Sequence, residues 1–432
     1  MSKIWPQIRV EQIQADTPSA IAIGPFGSRM KADVYTLEGV RVIRGSNISD
    51  TRRLQGDFVF VSEETANNLR ASGLQPNDLV FPHRGAIGEV GLVPDDGHRY
   101  MMSTSLMKLT CNQRVADPKF IFYFFRSATG RNELLKNAST VGTPGIATPL
   151  TSLKSLWVPV PPLAVQLSIA RILGALDDKI DLNRRTSETL EAMIRALFQA
   201  SFVDFVGSTE FVHTEHGRMP RRWSASTLRD HVTLQRGTTY SGNFVGLPGP
   251  ALLGLGSIEP GGGFRDGHYK TYGGECPEKL TLYPGDLFVA LKGATKDGTM
   301  VGSIARVPSS VASGRLTQDT VKLQFLKPGN RINRYIYWLL RMPQYRAYCA
   351  GRITGSAQVG LSRDDFLNYP VPLPPDDTLA AFAENESSLS QHQDLLTAEC
   401  KSLAALRDTL LPKLLSGELR ALEAERAVEA AL

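Results

Sequence analysis

The sequence predicts an α+β protein with an internal pseudo-two-fold repeat: two globular mixed α/β domains, joined by two long helices that pair as an antiparallel coiled coil. Three observations carry this. Ordered sequence matches recur half a chain apart, the texture changes abruptly after two Pro-Pro pairs, and apolar residues beyond each pair fall on heptad spacing.

The repeat begins with Leu74-Gln75-Pro76-Asn77-Asp78-Leu79, which returns as Leu282-Tyr283-Pro284-Gly285-Asp286-Leu287. A basic residue and a glycine follow each copy, as Arg84-Gly85 and Lys292-Gly293. Beyond a six-residue insertion in the second copy, Gly88 to Pro94 matches Gly302 to Pro308, and Lys108-Leu109 matches Lys322-Leu323. Phe120 to Arg126 then matches Tyr335 to Arg341, and Val158-Pro159-Val160-Pro161-Pro162 matches Val371-Pro372-Leu373-Pro374-Pro375. The order never breaks. Within each copy, short alternating runs such as Val40 to Ile43 and Leu79 to Phe81 predict strands between Gly- and Pro-rich turns. The Phe120 and Tyr335 segments, opened by Asp117-Pro118 and Asn333, predict a helix in each domain.

From Leu163 to Phe202 there is no proline and one glycine, and Ile169, Ile172, Leu176, Leu190, Met193 and Leu197 form one a/d stripe. In the second copy Leu389, Leu396, Leu403, Leu406 and Leu410 do the same, with the helix ending at Pro412 or slightly beyond. Two such stripes in one chain most simply pack on each other. Asn183 falls on an a position, either solvated where the helices splay or buried as a register-setting residue. The resulting division is residues 1–160 and 207–373 as domains, 161–206 as the central helix and 374–432 as the C-terminal helix and tail.

Charge follows that division. Residues 1–160 hold 18 basic and 14 acidic side chains, 161–206 hold 5 and 6, 207–372 hold 20 and 12, and 373–432 hold 5 and 11. The domains are therefore basic and the helices neutral or acidic, which suits phosphate contact by the first and protein contact by the second. No apolar run approaches the roughly 20 residues of a membrane span, and Met1 to Pro6 contains no apolar signal core, so a cytoplasmic location is expected. The four cysteines are scattered without a C-x-x-C pair, which argues against a zinc site or a disulfide framework.

Enzyme motifs are missing as well. Both Pro-Pro pairs lack the aromatic residue that a base-flipping methyltransferase places after them, and no G-x-x-x-x-G-K-[ST] loop occurs. Asp177-Asp178-Lys179, Asp117-Pro118-Lys119 and Glu399-Cys400-Lys401 match a nuclease triplet only loosely. Gly261-Gly262-Gly263 reads as a turn, since no helical pattern follows it.

The residues at the helix ends carry a family resemblance. Leu190 to Phe205 resembles the end of the central helical region of Type I restriction-modification specificity subunits, and Leu406 to Leu419 is similar to their C-terminal helical region. Gly24-Pro25-Phe26-Gly27-Ser28 and Trp223 to Leu228 resemble the starts of the two target-recognition domains. The resemblance implies a non-catalytic subunit that reads a split, asymmetric double-stranded DNA site with a non-specific spacer. It also implies two methyltransferase subunits and, in the full complex, restriction/translocase subunits as partners, which would bind S-adenosylmethionine, ATP and Mg. The alternatives are a scaffold that never touches DNA and an in-chain DNA-modifying enzyme.

Base readout needs Arg, Lys, Asn, Gln, Ser, Thr or Tyr on domain loops. In the first domain the candidates are Arg29, Lys31, Arg44, Arg84, Thr140 and Thr143. In the second they are Arg236, Tyr240, Lys292, Lys296, Arg352, Ser356 and Gln358, where Thr354 to Gln358 resembles a recurrent loop of the family. Each domain is expected to join the helical frame only near its Pro-Pro boundary, so that residues 1–155 could be exchanged as a unit.

Overall fold

In the computed structural model, residues 5–26, 29–139, 144–214, 217–267, 269–293, 297–327, 329–355, 359–429 and 431 are described. The chain divides into two units, residues 1–184 with 399–432, and residues 185–398. Both divides fall inside long helices.

The first unit holds a four-stranded sheet of β1 (Ile21–Ile23), β2 (Leu79–Pro82), β3 (Gly91–Leu92) and β4 (Leu106–Leu109), in the order β1-β4-β2-β3. The second unit repeats it with β5 (Val232–Arg236), β6 (Leu287–Ala290), β7 (Ile304–Arg306) and β8 (Thr320–Phe325), in the order β5-β8-β6-β7. Every pairing in both sheets is antiparallel. The sequence repeat is thus a repeat of topology.

The physical content of the six-residue match is now visible. Asn77 and Gly285 both take positive φ, 68° and 91°, a conformation that Gly and Asn adopt at least cost. That turn lets the carboxylates of Asp78 and Asp286 accept the backbone N–H groups of Gln75 and Tyr283, at 2.9 and 2.8 Å. Lys108 then reaches from β4 to Asp78 (3.3 Å) and to the Gly73 carbonyl (2.8 Å). Lys322 does the same from β8 toward Asp286 (2.5 Å) and the Thr281 carbonyl (2.9 Å). A lysine in the middle of a core strand is tolerated because its charge is paired and hydrogen-bonded. Beside these sheets the copies diverge: a five-stranded sheet lies in the first unit and a three-stranded one in the second.

Helix α1 (Pro118–Arg126) starts where Asp117 accepts the Phe120 N–H at 2.8 Å, with Pro118 in the first turn where no N–H is needed. Phe120 to Phe125 are all buried, which fits a helix covered on all sides. Helix α2 (Leu163–Phe198) runs into a π-turn at Gln199–Val203. Helix α3 (Asn330–Leu339) is the second-unit counterpart of α1. Helix α4 (Asp376–Ser416) continues four residues past Pro412, whose ring removes one internal hydrogen bond.

The antiparallel pairing shows in each unit separately. In the first, Asp177 meets Arg407 and Lys179 meets Glu399, while the Cys400 thiol donates to the Ile180 carbonyl at 3.7 Å. In the second, Gln393 donates to the Ser187 carbonyl (2.9 Å), and the Phe198 and Phe382 rings meet edge to face. Residue numbers rise along α2 as they fall along α4.

Ile169, Ile172, Leu176, Leu190, Leu396, Leu403 and Leu410 are buried, and Leu389 and Leu406 are half-buried. Met193 and Leu197 are not on the buried face: they are 48% and 39% exposed, while Ile194 and Phe198 are fully buried. The stripe leaves the heptad because α2 here packs into a globular aromatic core, where Phe198 lies against Tyr335 and Phe202 against Trp223. Without a supercoil an α-helix drifts about 20° per heptad, so the inward face moves to every fourth residue. Asn183 is buried at 2% exposure. The solvated alternative is thereby excluded.

The first domain also grips its frame well beyond the Pro-Pro boundary, against expectation. Arg52 donates to the Gly174 carbonyl (3.1 Å) and to Asp178, Arg184 makes two bonds to Asp50 (3.1 and 3.0 Å), and Tyr123 donates to Asp177 (2.8 Å). These partners are up to 134 residues apart in sequence. Local reading had no signal for them.

Candidate nucleic-acid interface

Antiparallel pairing to a common central strand decides where the loops emerge. Both β1 and β2 pair with β4, so Ile23 lies opposite Met107 and Pro82 opposite Leu106. The loops after β1 and β2 therefore leave the same end of the sheet. In the second unit Arg236 lies opposite Val321 and Ala290 opposite Thr320, which puts the loops after β5 and β6 at the matching end.

A third segment joins each set. Gly85 N–H donates to the Pro144 carbonyl (3.0 Å) and Ile146 N–H to His83 (2.9 Å), so the chain around Gly145 adds to the β2 loop. Gly293 N–H donates to Val359 (2.9 Å) and Leu361 N–H to Leu291 (2.9 Å), the same arrangement after β6. The turn after β1 is fixed by Gly24, where a Cβ would lie 1.8 Å from the Ser103 carbonyl oxygen. Gly237 has the same constraint, with the Thr317 carbonyl at 1.9 Å.

Basic residues collect at these ends. Arg29 and Arg84 in the first unit and Arg236 in the second are exposed, and Lys292 is half-buried. Among the described residues none of the four has an ion-pair partner. Cations left unneutralised on loop tips are suited to a polyanion.

Residues 30–192 match the family model described as the Type I restriction modification DNA specificity domain. The chain is 21% identical over 401 residues to the Type I restriction enzyme MjaVIII specificity subunit of Methanocaldococcus jannaschii, covering 88% of this chain and 91% of that protein. It is 22% identical over 403 residues to the HindI specificity subunit of Haemophilus influenzae, covering 80% of this chain and 87% of the relative. Over residues 30–192 the chain is thus similar to Type I DNA specificity domains, and along most of its length to Type I specificity subunits. A solved structure of the S subunit of a Type I system from M. genitalium shares the fold, with a TM-score of 0.56 at 16% identity over 95% of this chain and 96% of that one. Specificity subunits are non-catalytic. Among the described residues, no His, Cys, Asp and Glu group could hold a metal ion and no helix is long and apolar enough to cross a membrane.

The remaining candidates fall as follows. Lys31 is exposed. Arg44 ends the strand Val40–Ile43, whose last carbonyl accepts from Ser103, but its guanidinium donates to the Asp57 carbonyl at 2.9 Å and supports a loop. Arg352 is exposed and lies 3.8 Å over the Tyr348 ring. Tyr240 is 43% exposed and meets Tyr272 edge to face at 5.8 Å. Thr140, Thr143, Lys296, Ser356 and Gln358 lie outside the described residues.

Sequence reasoning missed Arg315, a buried arginine on the strand Gly314–Leu316. It donates to the Glu275 carbonyl (3.1 Å), the Thr238 hydroxyl (3.2 Å) and the Thr239 carbonyl (3.0 Å), and its guanidinium lies 5.0 Å over Tyr272. It therefore braces the loop that presents Tyr240. Nothing local distinguishes it from a surface arginine in a strand.

His83 lies buried beneath Arg84, its Nε2 3.2 Å from the Thr104 carbonyl. Burial, and then the neighbouring Arg84 charge, hold the imidazole below its ordinary value of 6.5, against the opposing Thr104 contact. The unfolded chain therefore takes up the proton first as pH falls, so this contribution to stability is intact above about 6.5 and is lost as pH falls from there toward the folded value. His83→Leu, which installs the residue found at the matching Leu291, should flatten the stability loss between about pH 7 and 5. Equal slopes in wild type and variant, measured by thermal melts across that range, would contradict this.

Proposed function

We propose that the chain is the sequence-reading subunit of its complex, binding a bipartite, asymmetric site in double-stranded DNA across a non-specific spacer. The observation that carries this reading is the repetition: each unit gathers three segments at the same end of the same four-stranded sheet, and two of them carry cations without an ion-pair partner among the described residues. Residues 1–160 and 207–373 would each read one half-site, with Arg29, Lys31 and Arg84, and Arg236, Tyr240, Lys292 and Arg352, as the contacts that the described residues offer. Residues 161–206 and 374–432 would hold two methyltransferase subunits and, in the complete assembly, restriction/translocase subunits. S-adenosylmethionine, ATP and Mg would be bound by those partners.

Phosphate contacts release counterions, so the logarithm of affinity should fall linearly with the logarithm of salt, with a slope of about −0.9 per phosphate neutralised. The measurement is duplex binding by the chain co-purified with its methyltransferase subunits, over a range of salt. A double Arg84→Ala, Lys292→Ala variant should make the slope shallower by about 2. A complex whose retention of DNA ignores salt would favour a pure scaffold.

A further inference from the structure

In each unit one exposed aromatic ring follows closely on a matched turn glycine. Gly24 and Gly237 are matched by their turn geometry and by their backbone bonds to the start of the central strand, at 2.8 Å to Leu106 and 3.1 Å to Thr320. Phe26 follows two residues after the first glycine and is 73% exposed, and Tyr240 follows three residues after the second and is 43% exposed. The intervening residues differ completely between the copies. A single exposed phenylalanine on a surface means little, but an exposed aromatic on the loop after the first sheet strand in both diverged copies points to a common cause.

The surroundings indicate what covers them. Phe26 leads directly to Arg29, whose N–H bonds the Phe26 carbonyl at 2.8 Å, and it shares its sheet end with Arg84. Tyr240 shares its end with Arg236 and Lys292, and is braced by Tyr272 and by Arg315, which has only carbonyl and hydroxyl partners among the described residues. An apolar ring set among unneutralised cations fits a polyanion that also offers apolar groups, and duplex DNA does so through thymine methyls in the major groove and through base steps that an inserted side chain unstacks. A carboxylate-bearing protein surface would satisfy the cations but not the ring.

We infer that Phe26 and Tyr240 are matched aromatic contacts to the DNA bases, one for each half-site, pressed against a base face or a thymine methyl. The inference rests on the DNA-reading function proposed above. It adds Phe26, which no hydrogen-bonding criterion would select, and it assigns the ring rather than the hydroxyl of Tyr240 as the contacting group.

The test uses the chain co-purified with its methyltransferase subunits and a duplex carrying the site determined by methylome sequencing. Phe26→Ala and Tyr240→Ala should each weaken binding roughly ten-fold, the scale of a lost base–aromatic contact. The salt slope should stay unchanged, because no phosphate contact is removed. Tyr240→Phe, which keeps the ring, should bind more tightly than Tyr240→Ala, and 5-iodouracil placed along the duplex should cross-link Phe26 from one half-site and Tyr240 from the other. Wild-type affinity in both alanine variants would overturn the inference while leaving DNA reading intact, and so would a Tyr240→Phe variant as weak as the alanine. Loss of the methyltransferase subunit on Phe26→Ala would also overturn it, by showing that the ring faces a protein. A wild-type complex that binds no duplex would instead remove the underlying function.

Discussion

Asp177→Ala is expected to destabilise the first unit by about 3–5 kcal/mol, the cost of removing one partner from a buried ion pair. Asp177 on α2 is 1% exposed, accepts from Arg407 on α4 at 2.7 Å, and accepts from the Tyr123 hydroxyl of α1 at 2.8 Å. One carboxylate thus ties both long helices to the domain. Its removal strands a guanidinium whose side chain is 8% exposed, leaving it, among the described residues, the exposed Asp408 and a backbone carbonyl, and it orphans a buried hydroxyl. Asp177→Asn keeps the shape and should be milder. Hydrogen exchange localised to Pro118–Arg126 would report the loss, and protection within about 1 kcal/mol of wild type would show that the pair does not hold the frame.

The second unit solves the same problem with a carboxylate on α4. Glu386 of α4 is fully buried and accepts from Arg306 (2.7 Å), Arg334, Trp338 (3.1 Å) and Ser390 (2.9 Å). Burial raises its carboxyl, but Arg306, the Trp338 bond and Arg334 outweigh burial and hold it below the usual carboxylate value of 4.5. Its stabilisation is therefore fully present above about pH 4.5 and is lost as pH falls through the lower folded value.

Exchange of the first domain for that of another specificity subunit should change one half of the methylated sequence and leave the other half untouched. The structure moves the boundary of that exchange. Gln7–Arg9 pairs antiparallel with Trp157–Pro159, so a cut at residue 155 would separate two paired strands, whereas exchanging residues 1–161 keeps them together. The second unit repeats the closure with Ser224–Thr227 against Pro370–Leu373. The donor must also offer equivalents of Arg52, Asp50 and Tyr123, which anchor the domain to α2. Methylome sequencing of a host carrying the chimera reads the result directly. A chimera that assembles and methylates a sequence altered in both halves would show that the domains read DNA jointly.

By itself the sequence determined the repeat, the two long helices and the order of elements. These depend on periodicity, on prolines that stop strands and helices, and on short motifs such as Asn77-Asp78 and Gly285-Asp286, whose backbone demands are local. Only the tertiary structure decided which face of α2 turns inward beyond Leu190, because that depends on the aromatic core it meets rather than on its own spacing. The same holds for Arg44 and Arg315, whose side chains look alike in sequence and support loops from within. It holds too for Phe26, whose exposure follows from Gly24 turning the chain against the Ser103 carbonyl. A sequence records which contacts a residue is able to make, and long-range packing selects among them.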